Sequence, residues 1–248
     1  MSRDVNTSVD VFINHFSARV QRLRDYELDP ADRILKKNIL ASILDALSRT
    51  ACKPQDLGRN RERFTLLVAN FSDWPEGSRL SAPNISYLLE RLRDPAFEYA
   101  RAFICSIIES NSSGQLIPLT QDPDLQQMTN VWPVPPGQKL IGSKSLELFT
   151  HINLLYEHRN SIVHELREPG YGMEFSDDGT RPYYHGTTHV DSENNVERRT
   201  LELVYPLDFY FWLVESALAN LAPYLKQNSL DPYDCFRFGS SWISELNE

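Results

Sequence analysis

Three groups of residues have types and spacings that could do chemistry. Gly137-Gln138-Lys139-Leu140-Ile141-Gly142-Ser143-Lys144-Ser145 approaches the phosphate-loop pattern GxxxxGK[ST], but Ser143 stands where the lysine belongs. Such a loop follows a β-strand, whereas Trp132-Pro133-Val134-Pro135-Pro136 precedes this one. A Pro/Gly loop running into a helix cap is the simpler reading. His185 and His189 are four apart, in a segment that reads as a strand. There they would stand about 13 Å apart at ~3.3 Å per residue. No carboxylate or cysteine pattern completes a metal set, and HExxH is absent. GxSxG is also absent, and Cys52, Cys105 and Cys235 stand in no recognisable nucleophile context. The third group is His158-Arg159-Asn160-Ser161-Ile162-Val163-His164.

On a helix this last group has a definite geometry. At about 100° per residue, Leu148, Ile152, Leu155, Ile162, Val163 and Leu166 share one apolar face. Asn153, Glu157, Asn160 and His164 form a polar stripe beside it. Asn160 and His164 are i, i+4 neighbours whose side chains can touch. Arg159 falls in the middle of the apolar face, where a guanidinium is costly unless it is paired or its stem carries the head outward. A local rule is broken beside a histidine, and such breaks tend to mark functional sites. A buried Arg–carboxylate pair with a histidine capping the helix end would explain the same residues structurally.

Mostly helical elements position this group. Thr7 or Ser8 caps a predicted helix through about Tyr26. Asp29 and Pro30 start another, with Ile34, Leu35, Ile39, Ile43, Leu44 and Leu47 as its stripe. Further helices are predicted over Arg61 to Phe71, from Ser81-Pro83 to Leu92, and from Asp94-Pro95 to about Ile108. Asn111 to Gly142 carries five prolines and reads as a long irregular connection. Ser143 caps a long predicted helix that must end near Arg167, before Pro169 and Gly170. Tyr183 to Val190 and Arg198 to Val204 read as an antiparallel hairpin. A last helix is predicted from Leu207 to Gln227. The tail holds Tyr233, Phe236, Phe238 and Trp242, so it should pack on the body. The expected organisation is an N-terminal helical region (1–110), a Pro-rich connection (111–142) and a helical core carrying the motif and the hairpin (143–248), or one continuous domain.

Composition narrows the function classes. The chain has 248 residues, 41% hydrophobic and 11% aromatic, enough to build its own core. The net charge is −9, which argues against a broad basic coat for nucleic acid but not against local grip. Three scattered cysteines without CxxC suggest neither a disulfide framework nor a zinc site, and fit a reducing cytosol. The first residues lack a positive stretch leading into an apolar one, so no signal peptide is expected, and no stretch reads as a membrane span.

Arg159, Asn160 and His164, as R-N-x3-H inside LLYEHRNSIVHEL, resemble the RNA-cleaving motif of the HEPN superfamily. The direct match covers about ten residues. Its helical context extends from Ser143 to Gln227. The resemblance implies a mainly α, HEPN-like bundle with an N-terminal helical extension and a small β-hairpin insertion. It implies a metal-independent, cofactor-free endoribonuclease acting as a cytoplasmic homodimer on RNA. Toxins, with a regulating antitoxin as partner, and phage-defence effectors are settings for such enzymes. In that reading His164 is the general acid or base. Arg159 holds the scissile phosphate, and Asn160 orients either. Glu157 would tune His164. RNA supplies its own 2′-OH nucleophile, and a two-fold axis would supply two histidines to a composite site. Arg198, Arg199, Arg181 and Lys144 are the candidate basic groove. The alternative is a non-catalytic HEPN-like module that binds a protein or a nucleotide, with Arg159 as a structural ion pair.

Overall fold

A computed structural model describes residues 4–27, 29, 32–51, 59–110, 116–140, 145–174, 180–191 and 196–236, with the side chains of 189–191 and 196–198 outside that description. The described chain is mainly helical, with a small three-stranded antiparallel sheet. The helices are α1 (Val5–Asp25), α2 (Arg33–Thr50), α3 (Asn60–Phe71), α4 (Ala82–Arg91), α5 (Glu98–Glu109), α6 (Leu125–Val131), α7 (His151–Glu165) and α8 (Leu207–Gln227). The strands are β1 (Ile117–Pro118), β2 (Tyr183–Asp191) and β3 (Val196–Val204), in the order β1-β2-β3. Tyr183 pairs with Val204 at one end of the hairpin and Asp191 with Val196 at the other.

The main core is built around α8. Phe209, Phe211, Leu213, Val214, Leu218, Leu221 and Leu225 are all buried, so the helix is apolar over most of its circumference. Each such side chain contributes about 1.5–3 kcal/mol on burial. Helices α1, α2 and α3 pack on α8, and α7 packs on α2 and α3. Tyr233 and Phe236, after α8, pack against Phe12 of α1. The other tail aromatics, Phe238 and Trp242, lie outside the described residues. A second cluster joins α4, α5 and α6 through Leu80, Ile85, Leu89, Phe97, Ile104, Met128, Trp132 and Leu146. The packing thus cuts across the sequence ranges 1–110 and 143–248. Helices α1 to α3 share a core with α7 and α8, while residues 80–149 supply the second cluster.

Several boundaries differ from the sequence reading, each for a physical reason. Asp4, not Thr7 or Ser8, caps α1, its carboxylate accepting from Thr7 N at 3.2 Å. Asp94-Pro95 opens a single 3₁₀ turn (Pro95–Phe97) ahead of α5. The predicted irregular connection contains α6, whose Asp124–Gln127 capping box stabilises a short helix. It also contains β1, which makes the hairpin a three-stranded sheet. The predicted helix from Ser143 to Arg167 is shorter. Leu146–Phe149 is a 3₁₀ turn, Thr150 is extended, and α7 begins at His151. Thr150 bridges to Leu80, which pulls the backbone out of helix there.

The stripe of α2 is rotated from the expected one. Leu35 and Ile39 are 41% and 47% exposed, whereas Lys37 is fully buried. A buried ammonium is tolerated only when paired, and its partners come from the segment after α7.

Candidate functional site

Helix α7 carries two polar faces of different character. One is buried. His158 Nδ1 lies 2.8 Å from Tyr210 Oη of α8, and His158 Nε2 faces Glu168 Oε2 at 3.6 Å. Lys37 Nζ reaches Glu168 Oε1 at 2.6 Å and Glu174 Oε2 at 2.8 Å. Glu174 Oε1 accepts from the Leu207 amide at 3.0 Å, and Arg33 Nη1 approaches it at 3.8 Å. Burial pushes the Glu168 carboxyl up, but His158 and Lys37 together outweigh that and hold it down at about 2. Burial lowers the His158 imidazole, partly opposed by Glu168, and raises the Tyr210 phenol.

This network pins residues 166–174 as a strap across the bundle. Leu166 ends α7 in the left-handed region (φ 52°, ψ 36°), its amide donating to Ile162 O at 3.2 Å. A non-glycine residue is strained there by roughly 1–2 kcal/mol. The ion pairs of Glu168 and Glu174 to Lys37 offset that cost by fixing the chain beyond the turn. Leu166, expected on the apolar face, is consequently 56% exposed. Along the hairpin, the Tyr171 amide donates to Glu202 Oε2 at 3.1 Å and the Met173 amide to His185 Nε2 at 2.8 Å.

A second buried polar cluster starts α7. Asp122 Oδ2 lies 2.7 Å from both His151 Nε2 and Tyr184 Oη, and Asp122 Oδ1 accepts from the Ala82 amide at 2.9 Å. Tyr184 Oη also lies 2.8 Å from Ser81 Oγ. Although serine, histidine and aspartate meet here, all are buried, and Ser81 serves as the N-cap of α4. The cluster joins the two cores.

The other face of α7 holds the motif. Asn38 Nδ2 of α2 donates to Ile162 O at 3.1 Å and seats the end of the helix. Arg159 is 8% exposed. Its guanidinium is ion-paired with Asp45 of α2, and Nη1 donates to Asn160 Oδ1 at 2.8 Å. Burial lowers its pKa, but an arginine stays a cation. His164 is exposed in the last turn and makes no hydrogen bond or ion pair among the described residues. Arg159 and Asn160 are therefore in contact, while His164 stands one turn beyond Asn160 on the same stripe.

Upstream on that stripe, Arg61 of α3 is ion-paired with Glu157, and its Nη1 lies 3.4 Å from Asn153 Oδ1. The Arg61 guanidinium sits 4.6 Å over the Tyr156 ring, and that of Arg159 lies 5.7 Å from the same ring. Sequence reasoning missed Arg61, because nothing local distinguishes it from a solvent arginine. Glu157 is bonded to Arg61, which is its partner here instead of His164.

Among the described residues, the other sequence candidates do not assemble a site. Residues 141–144 of the phosphate-loop candidate, Lys144 among them, and the His189 side chain lie outside the described residues. No strand follows α6 before Gly137. His185 is buried and accepts from the Met173 amide, and no group of three or more potential metal ligands occurs among the described residues. Of the expected basic groove, Arg181 is stacked 4.6 Å over Trp212 and lies 4.0 Å from Glu76. Arg199 is exposed, and the Arg198 side chain lies outside the described residues. A groove of about 330 Å³ between α1 and α8, lined by Ile13, Val20, Leu218 and Ala222 among others, includes no residue of α7. Among the described residues, no helix is long and apolar enough to cross a membrane. No family model matches the chain, and comparisons with curated proteins and with solved structures yield no match.

Proposed function

We propose that the chain is a HEPN-type, metal-independent endoribonuclease that works as a homodimer. The observation that carries this reading is the disposition of the motif. Arg159 and Asn160 are bonded to each other, and an exposed imidazole follows one turn along the same helix. In this reading His164 exchanges protons with the 2′-OH or the leaving 5′-oxygen. Arg159 and Asn160 hold the phosphate and stabilise the charge that develops on it. The products are a 2′,3′-cyclic phosphate and a 5′-hydroxyl. A toxin or phage-defence setting, with an antitoxin as partner, belongs to the same proposal.

One observation favours a second reading. Asp45 already neutralises Arg159 within its own chain. A HEPN-like module that only binds a protein or a nucleotide would need no more from that arginine. The experiment is incubation of purified protein with a mixed RNA pool in EDTA, wild type beside His164→Ala. Cleavage by the wild type that leaves cyclic-phosphate ends, and is lost in the variant, supports the ribonuclease. No cleavage by a folded wild type moves the conclusion to the binding module.

A further inference from the structure

Two arginines from different helices approach the same aromatic ring. Arg61 and Arg159 have their guanidinium carbons 4.6 and 5.7 Å from the Tyr156 centroid, so their separation cannot exceed the sum of those distances. Each is matched by an acid of its own chain, Arg61 by Glu157 and Arg159 by Asp45. Neither acid is buried, so either can leave its arginine for solvent. Arg159 retains a buried Nε with no partner among the described residues, an N–H donor that the present ion pair leaves unused.

A planar guanidinium that pairs with a carboxylate can pair with a phosphate in the same way. We infer that Arg61 is a second phosphate-holding residue beside Arg159, and that Glu157 and Asp45 occupy, in the free protein, the places that the RNA backbone takes on binding. Arg61 is a positioning residue here, since it grips a phosphate flanking the scissile one. This rests on the ribonuclease reading and extends it. Such a pair of arginines also suits a chain with a net charge of −9. Local cations held in reserve by exchangeable acids give grip without a broad basic field.

The test separates this inference from the reading beneath it. A fluorescently labelled single-stranded RNA is titrated in EDTA with the His164→Ala chain, between about 50 and 200 mM salt, and affinity is plotted against salt. Every phosphate that the protein ceases to neutralise reduces the log–log slope by about 0.7 for a single strand. Arg61→Ala should show that reduction, Arg61→Lys should keep the slope, and Glu157→Gln should bind a few-fold more tightly. Both Arg61 and Glu157 are partly exposed, so these variants are expected to fold, and circular dichroism verifies it. An unchanged slope in Arg61→Ala, in a chain that still binds RNA through Arg159, overturns the inference and leaves the ribonuclease standing. Absence of RNA binding by the His164→Ala chain together with absence of cleavage by the wild type removes both.

Discussion

His151, His158 and His164 lie on one helix, yet they live in different chemical worlds. The first two are buried against Asp122 and against Tyr210 and Glu168. The third is exposed and has no hydrogen-bond or ion-pair partner among the described residues. The buried pair belong to networks whose removal would leave polar groups stranded, so their work is structural. The exposed one can be removed without cost to the core, and a proton transferred there reaches solvent. A histidine's residue type does not reveal which it is. Its partners do.

Breaking the buried side should have the largest effect. Lys37→Met leaves Glu168 without its cation and Glu174 with only Arg33, 3.8 Å away. Removing one partner of a buried pair typically costs about 3–5 kcal/mol, which urea unfolding will show as a lower midpoint. Substitution at Glu157, whose partner Arg61 is itself partly exposed, should not approach that.

Acid should weaken the same network in two stages. His158 is held below its ordinary value of 6.5 by burial, so its contribution is present above about pH 6.5 and declines as pH falls. Glu168 sits at about 2 against an ordinary 4.5. Its contribution is complete above pH 4.5 and is lost as pH falls toward 2. That shift corresponds to roughly 3 kcal/mol in total. Unfolding midpoints measured against pH should fall in these two windows, and Glu168→Gln should flatten the lower one. A midpoint independent of pH down to 3 would show that the strap is not held electrostatically.

The smallest stability effect is expected on the motif side. Glu157→Gln removes a half-exposed ion pair, and such pairs contribute about 0–1 kcal/mol. Its thermal midpoint should stay close to that of the wild type.

How much of this is legible in the sequence follows from the range of the forces. Helix α8 runs from Leu207 to Gln227 as predicted, because a strong apolar pattern is a local signal. The hairpin is legible from its turn residues and β-branched pattern, while its third strand, the two-residue Ile117–Pro118, is not. Lys37 is invisible as a core residue, since its partners lie more than 130 positions away in sequence. The α2 stripe is misplaced for that reason. Arg159 is legible as a misfit on an apolar face, and pairing with a carboxylate is one of two ways to accommodate such a misfit. That Asp45 supplies it, and that Arg61 shares the Tyr156 ring, depends on how α2 and α3 pack on α7.

The most direct measurement compares His164→Ala with His158→Gln in two assays, thermal unfolding and cleavage of RNA in EDTA. A double dissociation is expected. His164→Ala should keep the wild-type melting temperature and lose cleavage, while His158→Gln should melt several degrees lower and still cleave at temperatures where it is folded. If His164→Ala cleaves as the wild type does, or if His158→Gln loses cleavage while fully folded, the division of labour along α7 is wrong.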